Sequence, residues 1–113
     1  MAGKFELKTG KDGKFYFNLK AANGKVILSS EGYNSRASAE AGIESVRKNS
    51  QKDANFERKT ASDGSFYFIL KAANGETIGK SEMYKSEQSM ENGIESVKKN
   101  APDAAIEDAT FNV

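Results

Sequence analysis

Two absences limit the side chains available for catalysis. The 113 residues include no cysteine and no histidine, which excludes a thiol nucleophile, a thiolate metal site and an imidazole base. Catalysis would have to use carboxylates, lysine, tyrosine, serine or threonine. An active carboxylate needs a cleft that perturbs its pKa. The acidic residues that recur 51 positions apart are instead expected at the surface: Glu6, Asp12, Glu31, Glu40 and Glu44, with Glu57, Asp63, Glu82, Glu91 and Glu95. We therefore predict no catalytic residue, cofactor or metal site, and no enzyme.

A glycine- and lysine-rich segment, GKDGK at residues 10–14, superficially resembles a phosphate-binding loop. It is too short for the G-x-x-x-x-G-K-[ST] pattern, lacks the hydroxyl residue and leads into a predicted strand. The formal net charge is +1, from 17 basic and 16 acidic residues. Composition thus gives no argument for a nucleic-acid or membrane partner. Without a long apolar run or a signal-like N-terminus, a cytoplasmic location is expected.

The chain contains an internal repeat. Phe5–Asn49 aligns with Phe56–Asn100 without a gap, and most aligned positions are identical. The segments FELKT from Phe5 and FERKT from Phe56 are echoed by IEDAT from Ile106. One unit of about fifty residues would bury too little surface to be stable alone. We therefore predict a single domain, residues 1–113, made of repeat 1 (residues 4–51) and repeat 2 (residues 52–113).

Each repeat opens with three short runs rich in aromatic and β-branched residues, which predict strands. In repeat 1 these are Phe5–Thr9, Phe15–Lys20 and Lys25–Ser29. The Asp-Gly and Asn-Gly turns predict three-residue loops whose glycines take positive φ: Gly13, Gly24, Gly64 and Gly75. Such loops pair Leu19 with Phe5 and with Ile27, and Leu70 with Ile78. The large apolar residues then share one face, whereas a two-residue loop would pair Leu19 with Leu28 instead.

One helix is predicted after the strands of each repeat. Its apolar stripe is Ala39, Gly42, Ile43 and Val46 in repeat 1, and Met90, Gly93, Ile94 and Val97 in repeat 2. Ser35 and Ser86 are the predicted N-caps, and Asn49 is a predicted left-handed C-terminal cap. Tyr33 and Tyr84 precede the N-caps, so we expect them to pack against the helix start rather than contact a ligand.

The predicted fold is α+β. Two tandem β-β-β-α repeats and a final strand near Ile106–Phe111 form one mainly antiparallel sheet, with two helices on one face and a pseudo-two-fold axis. The repeated FYF-LKAANG and GIESVKKN segments resemble the bacterial YegP-like family over essentially the whole chain. This resemblance implies β(3)-α-β motifs in one sheet with their C-terminal strands exchanged, and it implies no established activity. Two departures, Arg58 for Leu7 and Gly79 for Leu28, make the halves unequal.

The outward face of the sheet is the candidate interaction surface. On the predicted register it presents Lys8, Tyr16, Lys20, Val26 and Leu28 from repeat 1, and Lys59, Tyr67, Ile69 and Lys71 from repeat 2. Two apolar spots are expected, around Tyr16, Val26 and Leu28, and around Tyr67 and Ile69. Because Leu28 would face water, Leu28→Lys is expected to cost no more than about 1 kcal/mol.

Two functions suit this surface. The first is a small non-enzymatic binding or interaction module; the sequence names no ligand for it, and a protein is one candidate partner. The second is binding of single-stranded nucleic acid, with Tyr16 and Tyr67 stacking on bases and lysines contacting phosphate. The neighbouring glutamates weaken that second hypothesis. A merely solvated face is the third interpretation, since tyrosine has good strand propensity. The protein is expected to be a monomer, because its two repeats replace the subunits of a dimer.

Overall fold

A computed structural model describes residues 3–109 of the chain. Along that part the strands and helices are β1 (Lys4–Thr9), β2 (Phe15–Lys20), β3 (Val26–Ser30), α1 (Arg36–Asn49), β4 (Phe56–Thr60), β5 (Phe66–Lys71), β6 (Thr77–Lys80), α2 (Glu87–Asn100) and β7 (Ala105–Asp108). Single 3-10 turns, Asp53–Asn55 and Ala101–Asp103, lead into β4 and β7. The predicted final strand is thus confirmed in shortened form, and Phe111 lies outside the described residues.

All of these strands form one sheet in the order β4-β5-β6-β3-β2-β1-β7. Neighbours are antiparallel except β7, which lies parallel to β1. The repeats meet at β3 and β6, where Ser29 pairs with Lys80 at the pseudo-two-fold axis. The final strand of repeat 2 therefore completes the edge of repeat 1. This arrangement confirms the α+β fold and the exchanged strand.

The first hairpin of each repeat has the predicted register. Phe5 pairs with Leu19, and Phe56 with Leu70. The four turn glycines all have positive φ, from 81° to 90°: Gly13, Gly24, Gly64 and Gly75. Side chains with a Cβ rarely adopt this backbone conformation. These turns set the alternation that buries one phenylalanine from each of β1, β2, β4 and β5 in the core: Phe5, Phe17, Phe56 and Phe68.

The predicted register of the second hairpin is wrong beyond its turn. Lys20 pairs with Val26, as a three-residue loop requires, but a β-bulge then pairs Leu19 with Leu28 instead of Ile27. In repeat 2 the same irregularity pairs Leu70 with Gly79. A bulge places an extra residue on one strand and shifts the alternation by one. Ile27 and Leu28 are consequently both buried, and Leu28 is 0% exposed.

Leu28 therefore does not belong to the outward surface, and the expectation that Leu28→Lys would be nearly neutral is wrong. Its position also explains why the repeats differ here. A Cβ added at Gly79 would lie 2.9 Å from Leu28 Cγ and 3.0 Å from the Ser29 carbonyl oxygen. Leucines at both equivalent positions would collide across the pseudo-two-fold axis. One leucine and one glycine fill the space instead.

The two helices pack on the core side of the sheet and bind the repeats together. Helix α1 contacts β2 of its own repeat and also β5 and β6, while α2 contacts β5 and β3. The predicted apolar stripes are buried. Ser35 Oγ accepts from the Ser38 amide at 3.0 Å, and Ser86 Oγ accepts from the Ser89 amide at 3.1 Å, which confirms both N-caps.

Two details of the helix predictions differ from the structure. Among the described residues only glycines have positive φ, so Asn49 is not a left-handed cap; it is helical and buried. Tyr33 lies deeper than the helix start. Its ring stacks on Phe17 with centroids 6.0 Å apart, and its hydroxyl occupies the space that a side chain at Gly42 would need. Tyr84 and Gly93 repeat this packing.

Candidate functional site

The candidate site lies on the sheet face opposite the helices. Strand pairing aligns one row of side chains across this face: Glu107, Glu6, Asn18, Ser29, Lys80, Ile69 and Glu57. Ile69 is the one apolar member of this row. The two halves of the face are thus unequal at their centres, because Ile69 occupies the position equivalent to Asn18.

Four lysines of this face are paired with two glutamates. Glu6 lies 3.6 Å from Lys8 and 3.3 Å from Lys20, and Glu57 lies 3.7 Å from Lys59 and 2.9 Å from Lys71. Burial acts to raise the pKa of Glu6, but the two lysines outweigh it and lower that pKa. The Lys71 hydrogen bond is the main cause that lowers the pKa of Glu57. Each carboxylate thus remains charged and offsets lysine charge on the face.

In repeat 1 the tyrosine of the outward face, Tyr16, is fixed by contacts with its neighbours. The Tyr16 hydroxyl donates to Asp12 Oδ2 at 2.7 Å, which lowers the pKa of Asp12 and raises that of Tyr16. The ring lies against the backbone of two glycines, since a Cβ added at Gly10 or Gly32 would come within 2.6 or 3.0 Å of Tyr16 atoms. These contacts of the Tyr16 ring and hydroxyl are all with residues of repeat 1.

Repeat 2 carries a different arrangement at the equivalent place. The positions of Gly10 and Gly32 are occupied by Ala61 and Met83. A bridge joins Phe66 and Tyr84, so their chain neighbours Tyr67 and Met83 follow it on the two adjacent segments. Met83 is 49% exposed.

Lys80 completes this group of side chains. Its ammonium lies over the Tyr67 ring, 5.0 Å from the centroid, and it pairs with Ile69 across the strands. We call Tyr67, Ile69, Lys80 and Met83 the Tyr67 patch. In repeat 1 the same positions hold Tyr16, Asn18, Ser29 and Gly32.

The predicted surface residues fall into three groups in the structure. Lys8 is exposed, Leu28 is buried, and the others are half-buried on the outward face: Tyr16, Lys20, Val26, Lys59, Tyr67, Ile69 and Lys71. The predicted apolar spot of repeat 1 does not form, because Leu28 is in the core. The spot around Tyr67 and Ile69 lies on the outward face, and Met83 extends it. Sequence reasoning missed Met83, although its mismatch with Gly32 was visible in the repeat alignment.

Two equivalent grooves lie where the Ala-Ala-Asn turn of one repeat meets the helix of the other. Their volumes are about 370 and 450 Å³. Asn100 lines the first, where it accepts from the Gly3 amide and donates to Ser96. Asn23 Oδ1 accepts from the Lys25 amide and thereby shapes the turn. The asparagines that recur in both repeats thus hold the groove walls.

Among residues 3–109, no group of three or more acidic side chains is arranged to hold a metal ion. Within the same range, no helix has the length and apolar character needed to cross a membrane.

Comparison with known proteins places this fold among uncharacterised bacterial proteins. The family model described as "Domain of unknown function (DUF1508)" matches twice, over residues 11–57 and 61–108. The UPF0339 protein PA0329 of Pseudomonas aeruginosa is 55% identical, covering 96% of this chain and 98% of its own. The UPF0339 protein YegP of Escherichia coli K12 is 54% identical, covering 97% and 100%.

Two solution NMR structures are similar over nearly the whole chain. The yegP protein of E. coli, described as a protein of unknown function, has a TM-score of 0.95 at 53% identity, covering 100% of this chain and 97% of its own. The UPF0339 protein SO3888 of Shewanella oneidensis has a TM-score of 0.93 at 44% identity, covering 99% and 95%.

Proposed function

The chain belongs to the DUF1508 family of YegP-like proteins, and we propose that it is a non-enzymatic binding module that holds a protein partner at the Tyr67 patch. The observation that carries this proposal is the contrast between two nearly identical repeats. In repeat 1 the Tyr16 hydroxyl bonds to Asp12, and the Tyr16 ring packs against Gly10 and Gly32. In repeat 2 the position of Gly32 is occupied by Met83, which is 49% exposed. The fold does not require this difference, because both repeats form the same strands.

The composition of the patch suits a protein surface. Tyrosine and methionine are enriched at protein interfaces, where a large apolar contact is combined with adaptability. Lys80 lies over the Tyr67 ring and is exposed, so its ammonium remains available for a carboxylate on the partner. The partner is therefore expected to present an apolar side chain flanked by an acidic group. The cytoplasmic location of this binding module remains a prediction.

The proposal is tested by giving repeat 2 the residues of repeat 1. The double substitution Ile69→Asn and Met83→Gly removes the apolar part of the patch and uses side chains that the same fold already accepts. We expect proteins that co-purify with the tagged wild type from its native cell to be lost at least tenfold from this variant. The matched control is Val26→Thr, which makes the reciprocal exchange away from the patch and should retain them. Equal recovery with both variants would contradict the proposal.

Single-stranded nucleic acid is the second candidate, and the lysine–glutamate pairs argue against it. Phosphate contacts need lysines whose charge is not already offset, and they make affinity fall steeply with salt. We expect a fluorescent single-stranded oligothymidylate to show no saturable binding by anisotropy at low ionic strength. Saturable binding that weakens steeply with salt and is lost in Tyr67→Ala would favour nucleic acid over a protein partner.

A further inference from the structure

The sheet has one edge that the repeat symmetry leaves incomplete. Strand β1 of repeat 1 has β7 alongside it in parallel, and the Leu7 carbonyl accepts from the Ala109 amide at 2.8 Å. Strand β4 is the equivalent of β1 in repeat 2, but it is the last strand at its side of the sheet formed by residues 3–109. The reason is topological. The strand that follows α1 serves as the first strand of repeat 2, so within residues 3–109 only β7 remains to cover an edge.

Strand β7 indicates what kind of segment fits such an edge. Ile106 pairs with Phe5, and Asp108 pairs with Leu7. Asp108 also forms an ion pair with Arg36 at the start of α1. An extended segment is therefore held here by main-chain hydrogen bonds and by a charge that complements the helix start. Two residues before that charge, Ile106 lies next to Phe5 and is partly exposed, at 39%.

The charges at the β4 edge are different from those at the β1 edge. The position of Arg36 is occupied by Glu87, which is exposed, and the position of Leu7 is occupied by Arg58. Arg58 is already engaged, since it forms ion pairs with Glu91 and with Asp53 at 3.1 Å. These two bonds raise the pKa of Arg58, and the Arg58 hydrogen bond lowers the pKa of Glu91.

On the register of β7 with β1, the aspartate of a strand with the sequence of β7 would lie opposite Arg58, whose charge Glu91 and Asp53 already offset. Its other neighbour would be Glu87, which replaces the arginine that binds Asp108 in repeat 1. Repulsion would oppose this pairing, which discourages a second copy from adding its own β7 at this edge. A lysine or arginine at that place would instead be attracted by the exposed carboxylate of Glu87. Charge complementarity thus selects against β7 and for a basic segment.

We propose that the outer edge of β4 binds an extended segment of a partner protein, which runs parallel to β4 with an apolar residue opposite Phe56 and a basic residue two positions later. This mode is strand addition to a sheet edge, in which main-chain hydrogen bonds give affinity and side chains give specificity. The site is separate from the Tyr67 patch, because it uses the edge of the sheet and not its face.

The test uses the full chain labelled with 15N and a peptide that copies residues 101–109 with Asp108→Lys. We expect amide shifts in β4, at Phe56–Thr60, and a dissociation constant about fivefold lower than for the peptide with the native aspartate, as exposed charge pairs contribute modestly. The variant Glu87→Gln should abolish this preference, and Glu87→Arg, which restores the charge of Arg36, should reverse it. Absence of β4 shifts with both peptides, equal affinity for both, or a preference unchanged in the Glu87 variants would overturn the proposal.

Discussion

Replacing Leu28 by lysine is expected to lower the free energy of unfolding by at least about 3 kcal/mol. Truncating a buried leucine to alanine alone costs about 2–5 kcal/mol, and the ammonium of a lysine would also have to be placed among apolar side chains. Leu28 is 0% exposed, and its side chain fills the space beside Gly79. Urea unfolding followed by far-UV circular dichroism measures the difference.

The matched control is Val26→Lys, two residues earlier on the same strand. Val26 is half-buried and pairs with Lys20 on the outward face, so this substitution is expected to cost no more than about 1 kcal/mol. A Leu28→Lys protein as stable as the Val26→Lys control would show that the bulge is absent and that Leu28 faces water.

The same site allows an exchange across the pseudo-two-fold axis. Gly79→Leu alone should destabilise the fold by about 1–3 kcal/mol, because overpacking forces the neighbouring side chains to move. Combined with Leu28→Gly, it moves the single leucine to the other repeat and should recover much of that loss. The two substitutions are therefore expected to couple strongly in a double-mutant cycle. Simple additivity of the two costs would mean that the two positions do not share one space.

The second large effect is expected when the repeats are separated. A chain of residues 1–50 should be unfolded or self-associated, since one unit of this size buries too little surface to fold alone. It would lose the pairing of β3 with β6, the β7 strand beside β1, and the packing of α1 on β5 and β6. Circular dichroism and sedimentation velocity over a dilution series measure both outcomes.

If the fragment of residues 1–50 self-associates, we expect its copies to pair through β3. Two copies could pair their β3 strands as β3 and β6 pair in the intact chain, but Leu28 would then meet a second Leu28 at the axis. Leu28→Gly in one of two mixed fragments is the matched test, and it should favour the mixed dimer. A fragment that is folded and strictly monomeric at every concentration would contradict the shared sheet.

The sequence predicted the first hairpins correctly because the turn and the alternation of side chains agree there. With Asp12-Gly13 as the loop, Phe5 and Leu19 fall on one face without exception. At the second hairpin two adjacent residues, Ile27 and Leu28, are both apolar, so strict alternation had to expose one of them. The bulge buries both. A strict two-residue alternation cannot describe a strand that contains an inserted residue. The two consecutive apolar residues, Ile27 and Leu28, were the sequence signal for the bulge.

The candidate site was only partly predictable, and for a different reason. Ile69 could be found because it is an apolar residue at a position that the register assigns to the outward face. Lys80 and Met83 could not be assigned to the patch from the sequence. The contact of Lys80 with Tyr67 depends on the bulge, and the place of Met83 depends on the bridge at Tyr84. The hydrogen bond of Tyr16 to Asp12 and the packing of its ring on Gly10 and Gly32 likewise became visible only in the folded structure. The open edge at β4 required the strand order, which alternation does not determine.

The most direct test of the proposed function compares the two repeats within one protein. A photo-reactive benzoylphenylalanine is placed at Ile69 in one variant and at the equivalent Asn18 in another, and the native cells are irradiated. We predict a protein adduct of defined size from position 69 and none from position 18, because only repeat 2 presents the Tyr67 patch. Equal adducts from both positions, no adduct from position 69, or an adduct removed by nuclease would contradict a protein partner held at the patch.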